Sequence, residues 1–457
     1  MKIRSLFCIP IAIALCSSPS IVQADNDALV TQVVKLLSNS DHEFRAAGLE
    51  VIRTSAKGSE NTKTFAAQLP KLEPEAQTAL ISALGDRGDV AAKPAVLGQL
   101  TNQQESVRAA ALIALGEIGS VAEFPSLINA LQKGTNLEQK ASASALIRMA
   151  GATVSEKIGM ESKSAKPEVR SKLIEILAAR RATSEAPVII SATTDDDSAV
   201  RTAAMNALGQ IGQPEQLATM LPGLLKSSRG NERNNAERNI ADVCKRINNE
   251  DERGNALIAV LNTVDASQRD ELMSLVGRVG GKRLISFVAD IATGSDVSRR
   301  AFGIDALSKW PDASPADTLL KIANDTKDDA ERRQAFAAFV KVCANRDNRN
   351  DKQRLERMKQ AMKEARNLEE KTAVINRTRT AYDVESMRFV RPFLDEPELS
   401  QIACETIVEL AHHRNVRNPH KEEFDVVLDK VIALAKNEEW IERAKRYKRG
   451  ETWERQK

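Results

Sequence analysis

The chain has 457 residues, 42% of them hydrophobic but only 4% aromatic, with a formal net charge of +3. A core so poor in aromatics must be built from Ala, Leu, Ile and Val, which suits closely approaching helices rather than a large domain around a deep pocket. The near balance of charge argues against a nucleic-acid binder, whose surface carries a marked basic excess.

The chain begins "MKIRSLFCIPIAIALCSSPSIVQADN" and reads as a secretory signal peptide, too short to span a membrane as a helix. Lys2 and Arg4 give the positive start, Ser5 to Cys16 is apolar, and Val22 and Ala24 stand where a signal peptidase reads. The expectation is an exported protein, periplasmic or secreted, cleaved after Ala24. Losing Lys2 and Arg4 with residues 1–24 brings the net charge from +3 to +1. A lipoprotein anchored at Cys16 is disfavoured, because Leu15 is too bulky for a good lipobox. No later stretch approaches the roughly 18 apolar residues of a membrane span, so no transmembrane segment is expected.

Past the leader the sequence keeps a beat. An early copy, "FRAAGLEVIR", begins at Phe44. Equivalent positions then fall at Ala76, Val107, Glu138, Val169 and Val200, each 31 residues after the last. Two copies, "ESVRAAALIALGEIG" and "DSAVRTAAMNALGQIG", are nearly the same, with Val107-Arg108 and Val200-Arg201 three beats apart. Pro94, Pro125 and Pro187 mark a second helix on the same beat, proline being favoured in a helix's first turn. Each unit therefore reads as a helix A opening near a proline, a polar turn, and a helix B opening at Val-Arg. The turns "TNQQES", "KGTNLE", "KSAKPE" and "TDDDSA" supply residues that cap helix starts, which also explains Asp195 to Asp197 better than a calcium loop does. Val107, Ala111, Ala114, Leu115 and Ile118 give the three-and-four spacing of a buried face, and Gly116 and Gly119 are expected to loosen and stop the helix.

The register loosens near "ERNNAERNIADVCKRI" and returns at Gln268, Arg299 and Arg332. Cys244, Cys343 and Cys404 each sit on an apolar helical stripe and are expected to be packed, reduced thiols. The stretch "DKQRLERMKQAMKEARNLEEK" predicts a longer charged helix over 351–371 that interrupts the beat. In "AHHRNVRNPHKEE", His412, His413 and His420 lie near Glu422 and Glu423, a composition that can hold a transition metal. The spacing fits no ligand signature, however, and the loop contains Pro419 and two arginines, so a solvated turn without metal is expected. Residues 421–449 read as a terminal hairpin with a polar outer side.

A single hairpin cannot bury its apolar face, but stacking on the next one does so. The expected fold is all-α: one continuous α-solenoid of stacked helical hairpins over residues 25–457, regular at about 70–215 and 265–345. The segments "VRAAALIALGEIG" and "VRTAAMNALGQIG", each preceded by a helix with a proline near its start, resemble the HEAT repeat. Their short period is most similar to the HEAT-like repeats of bilin lyases, and the exported layout resembles secreted bacterial HEAT-repeat proteins. This resemblance implies an α-solenoid, a fold that hosts adaptors, scaffolds and a few enzymes.

Two enzyme classes share such repeats. Deoxyhypusine hydroxylase holds iron with His-Glu pairs on successive repeats; this sequence has one such pair, His42-Glu43, and the matching positions carry Val-Arg, Ala76-Gln77, Glu138-Gln139 and Gln268-Arg269. A metal-dependent hydroxylase-like or bilin-lyase-like oxidoreductase is therefore the disfavoured alternative. The expected function is a non-catalytic protein–protein interaction or scaffolding module, acting outside the cytoplasm through a concave face of B helices. Arg108, Glu117, Lys172, Glu175, Arg201, Asn206 and Gln210 are the candidate partner-binding residues there. A protein or peptide partner is expected, with no nucleic acid, cofactor or catalytic residue. The recurrent Arg45, Arg108, Arg170, Arg201 and Arg300 admit two readings, a ligand ladder or, preferred, a set of bonds to the turns that stiffen the stack.

Overall fold

The computed structural model describes residues 19–39, 41–55 and 57–453, with side chains described from residue 28 onward. Most of the expected signal peptide, Cys16 included, lies outside the described residues, and its end falls within the helix Pro19–Leu37. The described residues form α-helices and short 3-10 turns, with no strand among them. None of their helices is long and apolar enough to cross a membrane. The chain divides into two compact units, residues 1–189 and 190–457.

Each unit is a two-layered α-solenoid. In the first, the B layer runs through His42–Thr54, Pro74–Arg87, Glu105–Ile118, Asn136–Arg148 and Pro167–Ala179, each packed on the next. The A layer includes Lys93–Gly98 and Phe124–Lys133, each with its proline at the second position after a 3-10 turn. In the second unit the B layer comprises Ser198–Ile211, Asn231–Cys244, Met273–Val279, Val297–Ser308, Asp329–Cys343, Leu368–Thr378, Ser400–His412 and Glu438–Lys448. Val107, Ala111, Ala114, Leu115 and Ile118 are all buried, as their spacing predicts. Thr135 closes a capping box with Glu138, and Asp197 accepts from the N–H groups of Ala199 and Val200, so the Asp195 to Asp197 run does cap a helix.

Two local expectations are corrected. Gly116 does not loosen its helix: it lies inside Glu105–Ile118, and a Cβ there would stand 2.8 Å from the Cα of Ala145 on the next B helix. Gly85 meets Ala114 in the same way at 3.0 Å. These glycines let neighbouring backbones approach closely, and Gly119 alone is the stop. The charged stretch 351–371 is also not one helix. Asp351–Glu364 ends at Ala365, and Asn367 caps a new helix, Leu368–Thr378, by accepting from the Glu370 N–H. The first belongs to the A layer and the second to the B layer, so charge here decorates an ordinary hairpin.

A further regularity links positions three beats apart. Arg87 Nη1 donates to the carbonyls of Ile52 and Ser55, and its Nε to Thr62 Oγ1 at 2.7 Å. Arg180, 93 residues on, repeats the arrangement with Leu146, Met149 and Ser155 Oγ. Each guanidinium thus covers carbonyls at the end of the previous B helix, which lack partners within their own helix. The next residue differs. Gly88 has φ 72°, whereas at the equivalent position Arg181 has φ 54°, the one positive φ among described non-glycine residues.

Left-handed backbone costs a side-chain-bearing residue about 1 kcal/mol, and overfilling a tight contact costs about 1–3 kcal/mol. Arg181→Gly should therefore raise unfolding stability by about 0.5–1 kcal/mol, while Gly116→Leu should lower it by about 1–3 kcal/mol. Urea denaturation followed by circular dichroism reads both, and equal stability in all three proteins would contradict this geometry.

Candidate functional site

The repeated arginine at the start of each B helix is anchored by the turn before it. Arg108 Nη1 donates to the carbonyls of Asn102 and Gln103, and its Nε to Glu138 Oε1 at 2.6 Å. Arg201 does the same with Asp195, Asp196 and Glu232. Arg300 bonds the Gly294 carbonyl and reaches Glu331 at 3.4 Å, while Arg45 and Arg170 bond the carbonyls of Asn39 and Ala165. In the three ion-paired cases the carboxylate comes from the following B helix, so each arginine ties its own hairpin to the next one. The stiffening role is the one observed.

This places the seven candidate residues. Glu117, Glu175 and Gln210 are exposed on the B layer, and Glu117 pairs with Arg148. Lys172 donates to Gln139 Oε1, and Asn206 accepts from the side-chain amides of Asn235 and Asn239. Arg108 is partly buried in its pair, and Arg201 is only 6% exposed. The outward position expected for Arg201 is thus corrected: the partly buried Glu232 carboxylate and the turn carbonyls draw its guanidinium into the stack.

The electrostatics agree with the geometry. The hydrogen bond from Arg108 leads in holding the Glu138 carboxyl below its ordinary value. Burial pushes Glu232 upward, but the bonds from Arg201 and the Ser228 N–H outweigh it and leave the group lowered. A carboxyl lowered in the folded state stabilises fully above its unfolded pKa, and that contribution is lost as pH falls through the folded value. Arg201→Met leaves the partly buried Glu232 carboxylate with only its bond from the Ser228 N–H and should cost about 1–3 kcal/mol at neutral pH. The gap from the unmodified protein should narrow as pH drops below the ordinary glutamate value of 4.5. A gap independent of pH in urea titrations would refute the ion-pair explanation.

The cysteines and histidines are also placed. Cys244, Cys343 and Cys404 are buried and free, and burial raises their thiols to about 12, about 12 and about 11. Thiols so far above neutral pH present almost no thiolate. His412 Nδ1 lies 3.0 Å from Tyr447 Oη, and the His413 ring stacks on Tyr382 with centroids 3.8 Å apart. The expected solvated turn is therefore corrected for these two, since Tyr447 of the helix Glu438–Lys448 and Tyr382, in the turn before Val384–Val390, take up their rings. Among the described residues, no group of three or more His, Cys, Asp or Glu side chains is placed to hold a metal ion.

The second unit adds a feature the sequence reading missed. Arg278, Lys309, Lys341 and Arg377 stand at or just past the last turns of four consecutive B helices. A cavity of about 550 Å³ opens on this layer between Val297–Ser308, Asp329–Cys343 and Leu368–Thr378. Lys341 and Arg377 line it, with Asn376 beside them and Ala337 and Ala373 giving it depth. The signal was available as a cation recurring once per repeat, but the irregular spacing of 31, 32 and 36 residues hid it.

Stacked helical hairpins pinned through their turns define an α-solenoid repeat protein. The family model for HEAT repeats matches residues 62–147 and 160–241, and the chain is a HEAT-repeat protein over those residues. No curated protein matches its sequence. Among solved structures, Kap121p bound to the extreme C-terminus of the protein phosphatase Cdc14p is similar at 11% identity, covering 95% of this chain and 55% of that one, with a TM-score of 0.45. Importin beta in an ammonium sulfate condition is similar at 12% identity, covering 92% and 72%, with a TM-score of 0.34. Human deoxyhypusine hydroxylase in complex with glycerol is similar at 16% identity, covering 49% and 99%, with a TM-score of 0.23. The chain spans about half the length of the Kap121p structures it matches.

Proposed function

We propose that this protein is a non-catalytic scaffold that acts outside the cytoplasm and holds a protein or peptide partner on the solvent face of its B helices. The observation that carries this reading is the cavity on the second unit's B layer, lined by Lys341, Asn376 and Arg377, whose side chains make no hydrogen bond among the described residues. Stacking uses the turns and the inner faces of the helices, and leaves this face with polar side chains among apolar ones such as Ile113, Ile147 and Phe302. Within the first unit, Glu117 and Glu175 are exposed on its B layer, and within the second unit Gln210 is. Such a surface favours salt-sensitive polar contacts with another protein over contact with lipid. Export rests on the leader, with Lys2 and Arg4 ahead of an apolar run and Val22 and Ala24 at the cleavage positions.

The test is fractionation of the native host followed by cross-linking capture with the tagged full-length protein. The expected result is an extracytoplasmic product beginning at Asp25 and a stoichiometric protein partner, lost on charge reversal of Glu117 and Glu175 or on Gln210→Lys. An uncleaved product confined to the cytoplasm would defeat the localisation. Capture insensitive to all of these substitutions would move the contact away from this surface.

A further inference from the structure

The cavity on the second unit's B layer carries opposite charges at its two ends. Glu369 and Arg377 both line it and belong to one helix, Leu368–Thr378. Eight residues separate them, about 12 Å along the axis. At the Arg377 end stands Lys341, from the neighbouring helix Asp329–Cys343. Asp305 lines the cavity too, but its carboxylate already accepts from Lys309 at 2.9 Å. The side chains of Glu369, Lys341 and Arg377 make no hydrogen bond or ion pair with a described residue. One end thus keeps two uncommitted cations and the other one uncommitted carboxylate. The helix dipole explains which sign sits at which end of Leu368–Thr378, but not the lining between them. Ala337 and Ala373 keep the floor low enough for a ligand's main chain to approach, and Thr372, Asn376 and Gln334 place a hydroxyl and two amides beside it. The volume of about 550 Å³ falls in the range of small-ligand sites.

We propose that this cavity binds a short peptide by both of its free ends, with the α-ammonium at Glu369 and the α-carboxylate between Lys341 and Arg377. This rests on the reading of the face as a partner surface, and names the class of peptide taken there. An extended chain rises about 3.3 Å per residue, so three or four residues span the separation of the charges. Terminal charges sit on the main chain itself, and residue count fixes the distance between them. Lysine and glutamate side chains of a longer chain would supply the same signs only by immobilising long stems, which costs rotamer freedom. The peptide bonds between the two ends meet Thr372, Asn376 and Gln334, whose hydrogen bonding does not depend on the ligand's side chains. The site therefore selects by length and by free ends, not by sequence.

Isothermal titration calorimetry with the full-length protein and tetra-alanine tests this, the peptide being supplied with both ends free, N-acetylated, C-amidated, and capped at both ends. The free peptide should bind, and weaken with added salt. Each single cap should weaken binding about tenfold or more, the loss of one charge-assisted contact, and the doubly capped form should not bind. Glu369→Gln should remove the penalty of N-acetylation alone, and Lys341→Met combined with Arg377→Gln that of C-amidation alone. Glu369 and Arg377 are exposed, so Glu369→Gln and Arg377→Gln should each leave the melting temperature unchanged. Equal binding of the free and doubly capped peptides, or cap penalties that no variant changes, would overturn the assignment. A capped peptide with internal lysine and glutamate that binds as tightly as free tetra-alanine would overturn it too. If tetra-alanine fails to bind while the cross-linked partner is still captured, the scaffold reading stands and only this assignment falls.

Discussion

The contact between consecutive B helices is the constraint on which the other features depend. Gly85 against Ala114, and Gly116 against Ala145, bring backbones together at distances that a larger side chain would prohibit. A hairpin standing alone would leave its apolar face in water, and the close contact lets the next hairpin cover it. The scarcity of aromatics follows from the same requirement. Small aliphatic side chains fill the space between helices that approach this closely, and Ala109, Ala110, Ala111 and Ala114 are all buried in one of them.

Once that distance is fixed, arginine can serve as a fastener. A helix leaves its last carbonyls without internal partners, and a guanidinium carries five donors in a planar fork. Arg87, Arg180 and Arg246 reach carbonyls at the end of the preceding B helix, whereas Arg108 and Arg201 cover the turn before their own helix and grip a carboxylate on the next. These bonds satisfy part-buried carbonyls at helix ends and turns and tie one hairpin to another. An ion pair such as Arg201–Glu232 is costly to break, because the surviving carboxylate stays partly buried and loses its main donor.

Equivalent positions along the B layer then acquire different roles through their neighbours. Arg278 donates to Glu237 and Asn234, and Lys309 to Asp305, so both are held within the stack. Lys341 and Arg377 occupy the corresponding places on the next two helices, where their side chains make no hydrogen bond to a described residue. A position that fastens hairpins in one repeat thereby faces a cavity in another. This is how a repetitive scaffold acquires a local chemistry without departing from its fold.

The 31-residue beat, the prolines and the Val-Arg pairs were enough to derive stacked hairpins, because periodicity of apolar side chains is a property of each repeat alone. Capping by Thr135 and Asp197, and the fastening role of the arginines, were legible for the same reason: their partners lie in adjacent turns or one beat away. The role of Gly116 was not, since a glycine within a helix looks like a weakness until the opposing Ala145 is in place. Nor was the break at Ala365, where a run of charge concealed the passage from one layer to the other. The sequence by itself therefore determined the repeat, its layers and its fasteners, which are local or nearest-neighbour consequences of pattern. Only the tertiary structure decided which polar side chains are consumed by stacking, as Arg201 is, and which are left facing a cavity, as Lys341 is. That outcome depends on whether a neighbouring helix happens to place an acceptor within reach.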